Sequence, residues 1–293
     1  GTLLEEGAEI LDSLAISRCM DKFYADRLAM AQRGASLLER HWGLQEALLA
    51  IRQGLADVSP AGFGLVPPAT LVSLATTYRN MAVDLPAYYQ LCEEFNSKQV
   101  TLVAVSKTKP IEDIQLLYEA GQRDFGENYV QELCDKQAKL PTDIRWHFIG
   151  HLQSNKVKYI APFIHLIHGV DSESLLKEID KQARKNNRVI DCLLQMHIAQ
   201  EETKFGLDAF ELTELFPKLP NYPNAHVVGL MGMASFSEDK NLVRSEFNTL
   251  AQTFQTFQTA QTLSMGMSGD YPIAIEAGSN MVRIGSLLFG ARG

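Results

Sequence analysis

The sequence predicts an α/β fold, a (β/α)8 barrel of TIM type preceded by an additional helical N-terminal region. Three observations carry this expectation. From Val100 onward, short runs rich in β-branched residues alternate with amphipathic helical stretches, the pattern of a parallel sheet with helical crossovers. Eight such strand-like runs follow one another, the number that closes a barrel, with a doubly wound open sheet as the alternative. The chain has 293 residues, enough for a barrel and an added module.

Taken in order, residues 1–83 read as helical. Leucines such as Leu28, Leu37, Leu44, Leu48 and Leu55 recur at helix-like spacings, broken at Gly34, Gly43 and Gly54. The segment SPAGFGLVPP over 59–68 is a clear interruption before the apolar pattern resumes at Thr70. No catalytic motif occurs there. The expectation is a small helical bundle packed on the main domain, and a docking or oligomerisation module is the other reading.

The main domain is expected over 84–293. A lead-in helix over 84–98 places Tyr88, Leu91, Cys92 and Phe95 on one face. The expected strands then cover 100–105, 123–126, 145–149, 165–170, 190–198, 226–231, 262–265 and 281–284. Between them the helical period predicts helices over 111–120, 129–139, 173–185, 209–216 and 242–259, with a short closing helix over 286–289.

The composition narrows the function classes. A net charge of −8 and a pI near 5.4 argue against a general nucleic-acid or anionic-membrane surface, because phosphate contacts need clustered Lys and Arg. Cys19, Cys92, Cys134 and Cys192 lie far apart with no CxxC pair, so buried, reduced thiols are expected. No segment reaches the ~18 apolar residues of a membrane span. The first basic residue, Arg18, follows Glu5, Glu6, Glu9 and Asp12, the wrong charge order for a secretory signal, and a cytoplasmic location is expected.

In barrels of this kind the chemistry sits at the C-terminal ends of the strands, and a phosphate is commonly held after strands seven and eight. Polar and glycine residues gather at those ends here: Ser106-Lys107, Gly126-Glu127-Asn128, Gly150-His151, Gly266-Met267-Ser268-Gly269 and Arg283-Ile284-Gly285-Ser286. Lys107, delivered by the apolar run TLVAV, is placed where desolvation and a neighbouring cation favour the neutral amine that attacks an aldehyde. A solvated surface lysine is the plainer reading. Gly266 to Gly269 and Gly285-Ser286 offer small residues, a hydroxyl and free backbone N–H groups suited to a phosphate dianion, or else form tight turns. Arg283, buried in the last strand, requires an acceptor, either a structural carboxylate or a ring nitrogen. His147 and His151 are a weak basis for a zinc hydrolase, since they straddle a strand end and no HExxH occurs.

The segments VAVSKTKP, FGENYVQE, WHFIGHLQSNK and GMSGDYPIAIEAGSNMVRIGSLLFGAR together resemble the pyridoxal-phosphate homeostasis proteins of the YggS/PROSC type, whose barrel is like the N-terminal domain of alanine racemase. The resemblance runs from about Asp84 to Arg292. It implies that Lys107 carries pyridoxal 5'-phosphate (PLP) as an internal aldimine and that Asn128 approaches the cofactor. It also implies that Ser268, with the backbone of Gly285 and Ser286, holds the phosphate, that Arg283 faces the pyridine nitrogen, and that Met231 and His147 line the pocket. Lys204 and Gly206 in TKFG match a further family element.

The resemblance implies a PLP-binding protein acting in intracellular PLP homeostasis without strong catalysis. A permanently protonated arginine at the ring nitrogen weakens the ring as an electron sink. A racemase also needs a second base on the opposite face of the substrate carbon, and the chain ends at Gly293 directly after the barrel. That base is expected to be absent. The alternative is a PLP-dependent amino-acid racemase or weak lyase, with Tyr24 or Tyr78 supplying it. Expected partners are PLP and apo PLP-dependent enzymes as recipients, without nucleic acid or membrane, and the expected state is a monomer or weak homo-oligomer.

Overall fold

The computed structural model describes residues 83–201, 205–257 and 259–290. The helical region expected over 1–83 lies outside the described residues except for Val83. Helix α1, Leu85–Lys98, leads in with Tyr88, Leu91 and Phe95 buried, and the Phe95 ring meets Tyr271 edge-on at 5.4 Å.

Eight strands follow: β1 Thr101–Val105, β2 Asp124–Glu127, β3 Arg145–Phe148, β4 Leu166–Val170, β5 Ile190–Gln195, β6 Ala225–Met231, β7 Thr262–Met267 and β8 Met281–Ile284. Each pairs in parallel with the next, and β8 returns to β1, with Val103 opposite Arg283 and Ala104 opposite Ile284. The barrel is therefore closed, and the open-sheet alternative is set aside.

The α-helices that follow the strands are α2 Ile111–Glu119, α3 Val130–Gln137, α4 Val157–Ile160, α5 Glu173–Lys185, α6 Ala209–Leu215, α7 Lys240–Thr256, α8 Tyr271–Glu276 and, after β8, α9 Ser286–Phe289. Local chemistry sets their ends. Ser172 Oγ accepts from Leu175 N at 3.3 Å at the start of α5, and Arg184 and Lys185 close its last turn against the helix dipole. Leu175, Leu176, Ile179 and Ala183 form its buried stripe. Asp208 and Glu211 make a reciprocal capping box at α6.

Strand ends differ from the expectation in two informative places. The run expected over 190–198 stops pairing at Gln195, after which Met196 makes an isolated bridge to Leu207. Strand β7 continues to Met267, so the glycine-rich segment begins inside the sheet. Gly266 has φ of +99°, and a Cβ there would stand 2.7 Å from that of Ala274.

Parallel strands covered on both faces read as continuous apolar runs, and β4, LIHGV, is buried at every position. Val103, Leu166, Leu193, Met231 and Met281, from five strands, pack together as one interior cluster. Among the described residues no helix is long and apolar enough to cross a membrane.

Candidate functional site

Strand β1 ends in a tight turn that presents Lys107, half-buried, on the C-terminal rim. Lys109 N donates to Ser106 O at 3.0 Å, and Thr108 sits at φ +62°. A β-branched residue in the left-handed region costs on the order of 1–3 kcal/mol, so the surroundings must hold it. They do so through a buried network. Thr108 N donates to Glu132 Oε1 at 2.6 Å, and Ser106 Oγ donates to Glu127 Oε1 at 2.6 Å. The Lys136 ammonium sits between them, donating at 2.7 Å to each of Ser106 O, Glu127 Oε1 and Glu132 Oε1. Burial pushes the Glu127 carboxyl up, against the pull of Lys136 and Ser106. The turn is thus bolted to β2 and α3 beneath it.

The Lys109 ammonium donates to Phe289 O at 2.8 Å, tying the same turn to the end of α9. The sequence marks Glu127 only as a polar residue at a strand end and gives no role to Lys109, Glu132 or Lys136. The four-residue spacing of Glu132 and Lys136 on one helix was the available signal.

The loops after β7 and β8 meet beside this turn. Gly285 N donates to Ser268 Oγ at 3.2 Å, and Gly285 lies against Val105, where an added Cβ would reach the Val105 Cβ at 3.4 Å. Asp270 closes the first loop, its Oδ1 accepting from Met267 N at 2.6 Å. Ser268 is half-buried and Ser286 exposed. Asn128, just beyond β2, is half-buried, and its Oδ1 is enclosed without a hydrogen-bond partner. Met231 is fully buried in the interior cluster below the rim.

Below the rim a polar line crosses the barrel. Arg283, 3% exposed, donates through Nη1 to Ser264 Oγ at 2.6 Å and through Nη2 to Gly232 O at 3.1 Å. Burial lowers its pKa to about 10, with Asp270 pulling the other way. Ser264 Oγ also meets His168 Nδ1 at 3.0 Å, His168 Nε2 meets His147 Nδ1 at 2.9 Å, and His147 Nε2 meets Asp124 Oδ1 at 3.0 Å. Because β4 and β7 are not neighbours in the barrel, the bond from His168 to Ser264 must cross its interior.

The histidines considered for zinc occupy separate settings. His147 is buried in this line, whereas His151 bonds Asp171 Oδ2 at 3.0 Å and stacks on Phe205 at 4.0 Å. Among the described residues Asp124, His147 and His165 come close enough to share an ion. Arg145 already occupies both Asp124 oxygens, at 2.7 and 2.5 Å, so a cation there would have to displace a guanidinium. Lys204 lies outside the described residues, and Gly206, at φ +142°, packs against the backbone of His197.

The alanine racemase N-terminal domain family matches residues 87–293. A pyridoxal phosphate homeostasis protein of Aquifex aeolicus is 44% identical over 197 residues, covering 65% of this chain and 86% of the relative. One of Haemophilus influenzae is 39% identical over 212 residues, covering 69% of this chain and 90% of the relative. The solved structure of PipY from Synechococcus elongatus, with PLP bound, superimposes with a TM-score of 0.62 at 35% identity, covering 66% of this chain and 93% of that one.

Proposed function

We propose, because this chain belongs to the alanine racemase N-terminal domain family and among its members to the pyridoxal phosphate homeostasis proteins, that it binds PLP and acts in PLP homeostasis. The observation that carries the reading is the meeting of three rim segments. The turn bearing Lys107, the Ser268–Gly285 contact and the buried Arg283 all belong to β1, β7 and β8 or the loops that follow them, and these are consecutive in the closed barrel.

The residues present fit this cofactor. The partnerless Asn128 Oδ1 supplies a buried acceptor, Ser268 and the backbone of Gly285 and Ser286 supply donors for a phosphate, and Arg283 carries more N–H groups than its two acceptors here take up. Bound PLP supplies an electrophilic aldehyde and an electron-accepting ring. In this reading Lys107 provides the covalent attachment, Asn128 and Met231 border the ring, and Arg283 faces its nitrogen. A guanidinium donates there and gives up no proton, so it orients the ring while leaving the nitrogen unprotonated, which suits holding more than turnover.

We extend the proposal to the finer points of organisation. The barrel with its lead-in helix, 84–293, is the PLP-binding domain. The protein works in the cytoplasm and hands PLP to apo PLP-dependent enzymes. The free thiols of Cys92, Cys134 and Cys192 support a reducing compartment.

The test is attachment. The protein incubated with PLP and reduced with borohydride should carry one cofactor mass on the Lys107 peptide, and Lys107→Ala should lose it. Label retained in that variant means another lysine is used. Incubation with L-alanine or L-serine in deuterated water should leave the α-proton unexchanged; rapid exchange abolished by Lys107→Ala would convert the reading to an enzyme.

A further inference from the structure

The line through the barrel has a donor-only group at one end and an acceptor-only group at the other. Arg283 can only donate, and Asp124, when ionised, can only accept. Burial disfavours the Asp124 charge, yet hydrogen bonds from Arg145 and His147 hold its carboxyl at about 2, so it is ionised at neutral pH. Burial, with the Arg283 guanidinium beside it, drives His168 well below the ordinary imidazole range, which makes it neutral.

These ends assign the protons between them. His147 donates at Nε2 to Asp124, which leaves its Nδ1 to accept from His168. His168 must then donate at Nε2 and accept at Nδ1. Ser264 gives its hydroxyl hydrogen to His168 and offers a lone pair to Arg283. The reverse order would aim two donors at Ser264 Oγ and deprive its own hydrogen of the acceptor that the line offers.

Such a line has a physical use at Arg283. Its two acceptors, Ser264 Oγ and Gly232 O, are neutral, and a buried guanidinium is costly unless its surroundings are polarised toward it. A chain of hydrogen bonds running in one direction polarises each successive group and passes part of the Asp124 charge inward. Asp124 is the first residue of β2, at the N-terminal end of the barrel, the opposite end from Lys107.

We propose that Asp124, His147, His168 and Ser264 are positioning residues that hold the Arg283 guanidinium in one orientation from the N-terminal end of the barrel, and thereby set how it meets the cofactor ring. The effect on the ring rests on the function proposed above, and the hydrogen-bonded line itself does not.

Long-range proton–nitrogen correlation spectra of the histidine-labelled apo protein at neutral pH test the line without the cofactor. Both His147 and His168 should carry a hydrogen on Nε2 and none on Nδ1; an Nδ1–H at either overturns the proposal. In the arginine-labelled apo protein, the Arg283 Nη hydrogens should be resolved and protected in wild type and Ser264→Thr, and this protection should be lost in Ser264→Ala and Asp124→Ala. Unchanged Arg283 signals in both alanine variants also overturn it. With PLP added, the visible maximum should move in Ser264→Ala and return in Ser264→Thr. If it stays put while Arg283→Gln moves it, the positioning role is wrong. A maximum that ignores Arg283→Gln instead overturns the functional reading, and the histidine tautomers still judge the line.

Discussion

The Lys136 ammonium donates at 2.7 Å to the carbonyl oxygen of Ser106, the residue immediately before Lys107. One side chain on α3 therefore fixes the backbone that carries Lys107, the proposed attachment point. Lys136 is also paired with Glu127, which is fully buried. Lys136→Met should destabilise the fold by about 3–5 kcal/mol, because it leaves a buried carboxyl without its cation. Lys136→Met combined with Glu127→Gln should recover some of that loss. Urea unfolding of the single and double variants measures both, and equal losses in the two would show that the charge pairing is irrelevant.

Arg283→Gln keeps an N–H donor, adds an acceptor and removes the fixed charge. The expected outcome is weaker PLP retention and a shifted visible band, with borohydride fixation to Lys107 largely preserved. Equilibrium dialysis and absorbance spectra read the two effects separately. A variant with wild-type retention and spectrum would place the ring nitrogen elsewhere.

The acid limb of stability should fall in two steps. His168 has a depressed folded pKa, so the unfolded chain takes up its proton first and stability declines as pH falls below about 6.5. Asp124 also has a depressed folded pKa, near 2 against an ordinary 3.8. Its contribution is present above the ordinary value and is lost as pH falls from about 4 toward 2, on the order of 2 kcal/mol. Thermal melts across this range should show the upper step removed in His168→Gln and the lower one flattened in Asp124→Asn.

A pair of glycines makes opposite predictions. A Cβ on Gly229 would lie 1.7 Å from the Thr262 carbonyl oxygen across the β6–β7 pairing, so Gly229→Ala must push the paired backbones apart. A loss of several kcal/mol, as in severe overpacking, is expected. A Cβ on Gly269 meets nothing within 4 Å, and Gly269→Ala should leave the melting temperature within the scatter of surface substitutions, about 0.5 kcal/mol.

The barrel was legible in the sequence because parallel strands buried on both faces leave continuous apolar runs, and helical crossovers leave a period that amphipathic spacing reveals. Strand β8 is found where the sequence expects it, and the others shift by one to three residues at their ends. Lys107, two residues beyond the run TLVAV, and the glycine pairs after β7 and β8 could be read as candidates for the same reason: strand ends face one rim. Residue identity and local period determined that much.

The supports of these residues were decided only by the tertiary structure. His168 reads as a polar interruption in an apolar strand until β4 and β7 are set across the barrel, where it meets Ser264 from 96 positions away. Lys136 reads as one half of a helical ion pair until β1 and β2 pair and bring the Ser106 carbonyl above it. Hydrogen bonds act over about 3 Å, and sequence spacing predicts proximity only within an element. Barrel closure supplies the rest, because it alone brings Asp124 near the start of the domain into one hydrogen-bonded line with Arg283 near its end.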